Sequence, residues 1–320
     1  MDFSEVIGQE EAKQRLLKMA ADKHVPHALL FCGPYGSGKM ALAMAFASYL
    51  LETSSASPEN TKAMLKKWEH PDLHFTYPTI KLPNTSSEYQ PISSDFAKEW
   101  HKMIMEGTYF NIRKWMNEMG ATTQQAIITG AESDNISRQL ALKSSQGGYK
   151  VSIIWLPERM NQTSANKILK LLEEPTEGTV FLMVSEEPEK LLETIVSRTQ
   201  RIDVKRIDDA DIEKALIAQR GLDADVVSFF ARQKLLYEDA AHHNAVFIGT
   251  DEGGCPRHAH LRSTNSFGKA FRLNVESSDP RYSFHHTGTD GSLYVFEAPI
   301  DMLSYISMNP HQWQEHSYVA

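Results

Sequence analysis

The stretch CGPYGSGKMA, residues 32–41, carries glycines and a lysine at the spacing of a phosphate-binding loop. Such loops leave backbone N–H groups free to face phosphate oxygens, and the lysine reaches the β- and γ-phosphates of a nucleoside triphosphate. The apolar run HALLFC precedes the loop, and the helix-forming run ALAMAFASYLL follows it. This context favours a nucleotide cradle over the alternative, a tight turn that is merely rich in glycine. The residues expected to form the cradle are Gly33, Gly36, Ser37, Gly38 and Lys39.

Two positions where such loops need a magnesium ligand hold residues that cannot supply one. Met40 stands where Ser or Thr normally binds Mg²⁺, and a thioether is a poor ligand for this hard cation. The strand KVSIIW ends in Trp155 where a hydrolysing enzyme carries an acid, and Glu158 comes too late for that role. We therefore predict that the chain does not hold Mg²⁺ and does not hydrolyse ATP by itself. Binding of ATP without hydrolysis stays open, because Lys39 and the loop amides favour phosphate.

The elements around these residues alternate between strands and helices. The buried run YKVSIIW is followed by the helical PERMNQTSANKILKLLEE and by a second buried run, TVFLMVS. Alternation of this length predicts an α/β fold, a parallel sheet with helices on both faces. Residues 93–119 have a helical period, and the stretch HPDLHF, with His70, Asp72 and His74, is expected to be surface rather than a metal site.

Composition excludes several other classes of protein. The net charge of −8 argues against a broadly basic nucleic-acid binder. Two cysteines, Cys32 and Cys255, provide neither a disulfide framework nor a zinc site. No stretch approaches the roughly 20 apolar residues that span a bilayer. We therefore predict a cytoplasmic protein with no zinc and no membrane association.

Three stretches together, GPYGSGK, SANKILKLLEEP and ETIVSRTQRI, resemble the delta-prime subunit family of the bacterial DNA polymerase III clamp loader, a family of AAA+ proteins. The resemblance covers residues 1–225 and implies an AAA+ core over 1–200 with a partial helical lid over 201–226. It implies that Arg198, positioned by Ser197, projects into the ATP site of a neighbouring subunit. The implied partners are a gamma/tau-like ATPase and a delta subunit, with the sliding clamp and primer–template DNA contacted indirectly.

The last hundred residues have a different pattern of apolar and polar residues. Short alternating runs separated by DEGG, SSDP and TGTDG turns predict antiparallel strands and a small α+β tail. The stretches KLLYED, PRHAHLRS and SSDPRYSF, followed by LYVFEAPIDMLS, resemble the domain that precedes a Toprim domain in primase-like and mobile-element DNA-processing proteins. That resemblance implies a Toprim-associated domain over 227–290 and the start of a Toprim domain over 291–320, with Glu297 as its acidic catalytic residue. It is the alternative reading of the chain's function.

The tail also holds residues that could bind a metal or a nucleic-acid backbone. We favour no metal, because adjacent histidines on a strand point to opposite faces. Acidic residues lie among the basic residues of the tail, which weakens the prediction that it binds a nucleic-acid backbone. The histidines are His242, His243, His258, His260, His285 and His286, and the basic and aromatic residues are Arg257, Arg262, Lys269, Phe271, Arg272, Arg281, Tyr282 and Phe284.

Overall fold

The computed structural model describes residues 1–81, 85–86, 88–121, 124–207, 222–238, 244–263, 272–275 and 278–320. The chain divides into two compact units, residues 1–206 and 207–320. The helices of the first unit are α1 (Glu10–Ala21), α2 (Lys39–Ser54), α3 (Pro58–Leu65), α4 (Ala97–Glu106), α5 (Ile112–Glu118), α6 (Gly130–Ala141), α7 (Gln162–Glu173) and α8 (Glu193–Val196).

One parallel sheet organises the first unit. Its strands are β1 (Ala28–Cys32), β2 (Leu73–Thr76), β3 (Lys150–Trp155), β4 (Thr179–Ser185) and β5 (Gln200–Asp203). They lie in the order β2-β3-β4-β1-β5, and every neighbouring pair is parallel. All residues of β1, β3 and β4 are buried, as expected of strands covered on both faces.

The strands divide their side chains between two hydrophobic cores. In β1, Leu29 and Phe31 belong to the core formed with α1, α2, α4 and α5, whereas Leu30 and Cys32 belong to the core formed with α6, α7 and α8. Successive side chains of a strand point to opposite faces, so helices cover both faces of the sheet. The α/β fold class predicted from the sequence is confirmed.

Two buried charged side chains tie α6 to the sheet. Glu132 accepts hydrogen bonds from Ser93 N at 2.6 Å and from Thr76 Oγ1 at 3.2 Å. Burial raises the pKa of the Glu132 carboxyl, and these hydrogen bonds oppose the rise. Lys150, the first residue of β3, donates to Leu140 O at 2.5 Å. That carbonyl lies in the last turn of α6, where helical carbonyls lack partners within the helix.

Residues 93–119 do not form one helix. Helix α4 ends at Glu106, and α5 begins at Ile112 with Asn111 as its N-cap, accepting from Lys114 N at 2.8 Å. Gly107 has a φ of 153°, a backbone conformation that favours glycine and stops α4. The helical spacing of apolar residues therefore continues across a non-helical connection, residues 107–111. The sequence pattern alone does not reveal this break.

The prediction that HPDLHF is ordinary surface is also wrong. His70 and Asp72 are 3% and 4% exposed. The Asp72 carboxylate accepts from Ser145 N at 2.8 Å and from Gln146 N at 3.0 Å, so it holds the loop that precedes β3. The burial of this acid follows from its backbone partners, which lie more than 70 residues away in the chain.

In the described part of the second unit, the strands form two small sheets. Strands β6 (Leu236–Glu238), β7 (Asn244–Thr250), β8 (Pro256–Ser263) and β9 (Arg272–Asn274) form an antiparallel sheet in chain order. The other sheet has the order β10-β12-β11, with strands β10 (His285–His286), β11 (Leu293–Val295) and β12 (Ser317–Val319). Helix α9 spans Ala224–Arg232. Helix α10, Pro299–Met308, joins β11 to β12, and these two strands are parallel rather than antiparallel. Among the residues described, no helix is long and apolar enough to cross a bilayer.

Candidate nucleotide site and exposed arginine

The glycine-rich loop joins β1 to α2. Strand β1 ends at Cys32, and α2 begins at Lys39 with Gly38 as its N-cap. Gly36 and Gly38 have φ values of 75° and 80°, in the left-handed region where glycine carries no steric cost. The strand–loop–helix context expected from the sequence is therefore present, and the loop ends at the positive end of a 16-residue helix.

Lys39 is folded back over the loop. Its side chain is buried, and Nζ donates to Gly33 O at 2.8 Å and to Pro34 O at 2.6 Å. An ammonium group has three N–H donors, so these two bonds leave one for a phosphate oxygen. Two loop carbonyls therefore bind the Lys39 ammonium group, the charge that would contact a nucleotide.

The loop is also fixed from the side of β5. A Cβ on Gly33 would approach Val204 O to 2.1 Å, so this position requires glycine. The Gln9 side chain donates to Ser37 O at 3.1 Å and to Lys205 O at 2.6 Å. Ser37 is fully buried, and its Oγ has no hydrogen-bond partner among the described residues. A buried hydroxyl without a partner and a glycine-shaped cradle are features that fit a phosphate group.

The two positions at which a magnesium ligand is expected, Met40 and Trp155, carry side chains without oxygen. Met40 is 5% exposed and Trp155 is 2% exposed, and both belong to the core on the α2 side of the sheet. The Trp155 ring packs against the rings of Phe110 and Trp100, with centroids 5.1 and 5.5 Å away. Neither residue presents an oxygen, the ligand that Mg²⁺ requires. The two positions are occupied by packing, and no metal-dependent step can be assigned to them.

Two glutamates add negative charge beside the cradle. The Glu158 carboxylate accepts from Ser185 Oγ and from Glu186 N, both at 2.9 Å, so it closes the carboxyl end of β4. Burial lowers the pKa of Lys39, and the charges of Glu186 and Glu158 oppose this. Burial raises the pKa of Glu186, which the charge of Lys39 opposes. These carboxylates repel a polyphosphate, whereas Lys39 attracts it.

Three consecutive residues from the connection between α4 and α5 reach the phosphate loop. The Tyr109 ring lies against Gly38, since a Cβ on that glycine would be 3.0 Å from Cε1. Phe110 packs against Trp155, and the side chain of Asn111 shares a hydrogen bond with Tyr35 of the loop. Sequence reasoning missed these residues, because the aromatic positions in this stretch read as core packing.

Arg198 lies at the other edge of the sheet. Its side chain is 36% exposed, and the guanidinium donates to Thr194 O at 2.9 Å and pairs with Glu173 at 2.7 Å. Strand β5 is parallel to β1, with Gln200 beside Leu29. Arg198 precedes β5, whereas the phosphate loop follows β1. By this register, Arg198 is level with residue 27, six residues before the loop begins at Gly33. At about 3.3 Å per residue, this offset corresponds to roughly 20 Å along the strands.

Among the residues that the structure describes, the remaining candidates do not gather into one site. Glu297 is exposed and follows β11. Arg257 and Arg281 each pair with an aspartate, at 2.7 and 2.6 Å. Within the described part of the chain, no three His, Cys, Asp or Glu residues are arranged to hold a metal ion. Several candidates lie outside the described residues, or only their side chains do: His242, His243, Lys269 and Phe271, and the side chains of Arg262 and Arg272.

Comparison with known proteins separates the chain into the same two parts. A family model described as DNA polymerase III, delta subunit, matches residues 8–208. A second model, described as a protein of unknown function (DUF3991), matches residues 216–290.

Among the similar proteins is the DNA polymerase III subunit delta' of Bacillus subtilis strain 168, which is 27% identical over 217 residues, or 65% of this chain and 52% of the relative. The subunit tau of the same organism is 29% identical over 64% of this chain and 29% of its own length. This chain therefore spans about half or less of these relatives. A solved gamma subunit-related protein from Thermotoga maritima is 17% identical with a TM-score of 0.38, covering 69% of this chain and 54% of that one. The family model covers well over half of the present sequence, and the chain belongs to the DNA polymerase III delta subunit family.

Proposed function

We propose that the first unit is a non-hydrolysing, delta-prime-like clamp-loader subunit that donates Arg198 to the ATP site of a neighbouring subunit. The observation that carries the proposal is the position of Arg198, half-exposed and at the opposite edge of the sheet from its own phosphate loop. An arginine in this place cannot serve the ATP site of the same chain. It is available to a site on another chain.

The chemistry suits an arginine offered in trans. A guanidinium placed on the γ-phosphoryl group neutralises the charge that develops during transfer, and such an arginine is worth ~10³ to 10⁵ in rate. The ion pair with Glu173 is half-exposed, and exposed pairs are worth only about 0.2–1 kcal/mol. Exchanging Glu173 for a phosphate as the partner of Arg198 therefore costs little free energy.

The partners follow from the relatives. These include delta', tau and gamma/tau subunits of DNA polymerase III. We propose a gamma/tau-like ATPase as the neighbour that receives Arg198 and a delta subunit as a second partner. The sliding clamp and primer–template DNA would be contacted through the assembly. A cytoplasmic location is part of the same proposal.

The test is the ATPase rate of a mixture of this chain with a gamma/tau-like subunit, at micromolar concentrations of both. Arg198→Ala should lower the turnover at the shared site by about 10³-fold without weakening complex formation. Arg201→Ala is the matched control, because Arg201 is also an exposed arginine paired with an acid, Asp203 at 2.7 Å. Equal turnover with Arg198→Ala and with Arg201→Ala would refute the proposal.

A second candidate function concerns the tail. Strands β11 and β12 are parallel and joined by α10, and Glu297 stands at the carboxyl end of β11. In α/β units, ligands bind at the carboxyl ends of parallel strands. This arrangement favours the Toprim-type reading, in which Glu297 acts as a general acid or base in phosphoryl transfer. DNA nicking or priming that is lost in Glu297→Gln would support it, and identical activity in that variant would exclude Glu297.

A further inference from the structure

The residues Tyr109, Phe110 and Asn111 contact three different elements around the phosphate loop. Tyr109 touches Gly38 at the start of α2, Phe110 touches Trp155 at the end of β3, and Asn111 bonds to Tyr35 inside the loop. We call them the 109–111 segment. They are consecutive in the chain.

Tyr109 packs against the glycine at the N-terminus of α2. Its ring lies within van der Waals distance of Gly38, and its hydroxyl accepts a hydrogen bond from Ile7 N at 2.9 Å. Ile7 precedes α1, so the ring connects the segment before α1 to the N-terminus of α2. A ligand whose phosphates sat on the loop amides would have to extend past this N-terminus.

Phe110 anchors the segment on the residue that replaces the metal-binding acid. Its ring is perpendicular to Trp155 at 5.1 Å and to Trp100 at 5.5 Å. Aromatic pairs in this geometry attract each other beyond the effect of their buried area. An aspartate at position 155 would offer no such surface. The side chain that removes the metal ligand also holds the 109–111 segment in place.

We propose that the 109–111 segment is a built-in cover of the phosphate loop, and that a nucleoside triphosphate or inorganic triphosphate enters only after the Tyr109 ring leaves Gly38. The cradle keeps its shape, with Lys39 and the glycines in position, but its closed state excludes polyphosphates. The inference goes beyond the role of Arg198 and does not depend on it, because it concerns the isolated chain. The apparent affinity of a covered site falls in proportion to the fraction of open molecules.

The experiment measures binding of a fluorescent ATP analogue to the isolated full chain, with inorganic triphosphate as competitor. Tyr109→Ala should bind the analogue roughly tenfold or more tightly than wild type, because the closed state loses its cover. Adding Lys39→Ala to this variant should abolish the gain. Tyr149→Ala is the matched control, since Tyr149 is a half-buried tyrosine against the same core but directly precedes β3, at the other edge of the sheet. Its affinity should equal that of wild type.

A folded Tyr109→Ala protein that binds the analogue no more tightly than wild type would overturn the inference. If Tyr109→Ala does not fold, Tyr109→Phe replaces it. That variant keeps the ring and loses only the bond to Ile7 N, which predicts a gain of about two- to tenfold. No gain in Tyr109→Phe would likewise overturn the inference. A failure here leaves the role of Arg198 untouched, because no partner ATPase is present in the assay.

Discussion

Restoring both magnesium ligands should fail to revive ATP hydrolysis. The substitutions are Met40→Thr and Trp155→Asp, which return a hydroxyl and a carboxylate to the two positions. Trp155 is 2% exposed and packs against two aromatic rings, and Met40 is 5% exposed. Both residues are therefore part of the hydrophobic core, and the replacements would lose apolar contacts and bury polar groups.

The expected loss of stability follows from this burial. Truncating a buried tryptophan costs about 3–5 kcal/mol, and truncating a buried methionine costs about 2 kcal/mol or more. Burying an unpaired carboxylate adds to this. The sum of at least ~5 kcal/mol equals the lower end of the whole stability of a natural domain. We therefore expect the double variant to be largely unfolded, or folded only at low temperature, and to lack steady ATP turnover.

The assay is urea unfolding followed by tryptophan fluorescence, combined with ATP turnover in the presence of Mg²⁺. Wild type, the two single variants and the double variant are compared. Trp155→Phe is the control, because it keeps an aromatic ring against Phe110 and should cost less than about 2 kcal/mol. A double variant with the urea midpoint of wild type, or one that hydrolyses ATP steadily, would refute the reasoning.

Three further predictions concern single charged residues. Glu132→Gln should remove a pH dependence. The folded-state pKa of this carboxyl is raised above its ordinary 4.5, so the wild-type free energy of unfolding should fall as pH rises from 4.5 through the raised value, which urea titrations at several pH values would detect. Glu173→Gln should release Arg198 and raise the ATPase rate of the mixture by up to about fivefold, and a lower rate would argue that the pair positions the arginine. Lys150→Met should destabilise the first unit by about 1–3 kcal/mol, because it removes the donor shared by the carbonyls of Leu140 and Leu142 and leaves Leu140 O with Thr176 Oγ1 alone, whereas the exposed Lys143→Met should be neutral in a thermal melt.

The sequence predicted those parts of the site that are contiguous in the chain. The loop between β1 and α2 could be recognised because the glycine spacing, the lysine and the flanking elements all fall within residues 27–51. The unsuitability of Met40 and Trp155 for Mg²⁺ could be inferred from residue type alone. The two-sided sheet was predictable from continuous apolar runs.

The parts that depend on distant contacts were not predictable. Tyr109 lies 71 positions beyond Gly38 in the chain, and nothing in its own neighbourhood distinguishes it from a core aromatic residue. Asp72 looked exposed because it is polar, but the backbone amides that bind it belong to the loop before β3. The boundaries predicted at residues 200, 226 and 290 stay predictions, since 208–221 lie outside the described residues and the units separate at 206.

The register of β5 beside β1 also bears on how this unit can change during evolution. Under the proposed role of Arg198, the phosphate loop follows the carboxyl end of β1 and the donated arginine precedes the amino end of β5, so a lineage can lose one function while selection preserves the other. Under the same proposal, such a subunit completes the ATP site of one neighbour and hydrolyses no ATP itself, so an assembly that contains it is asymmetric.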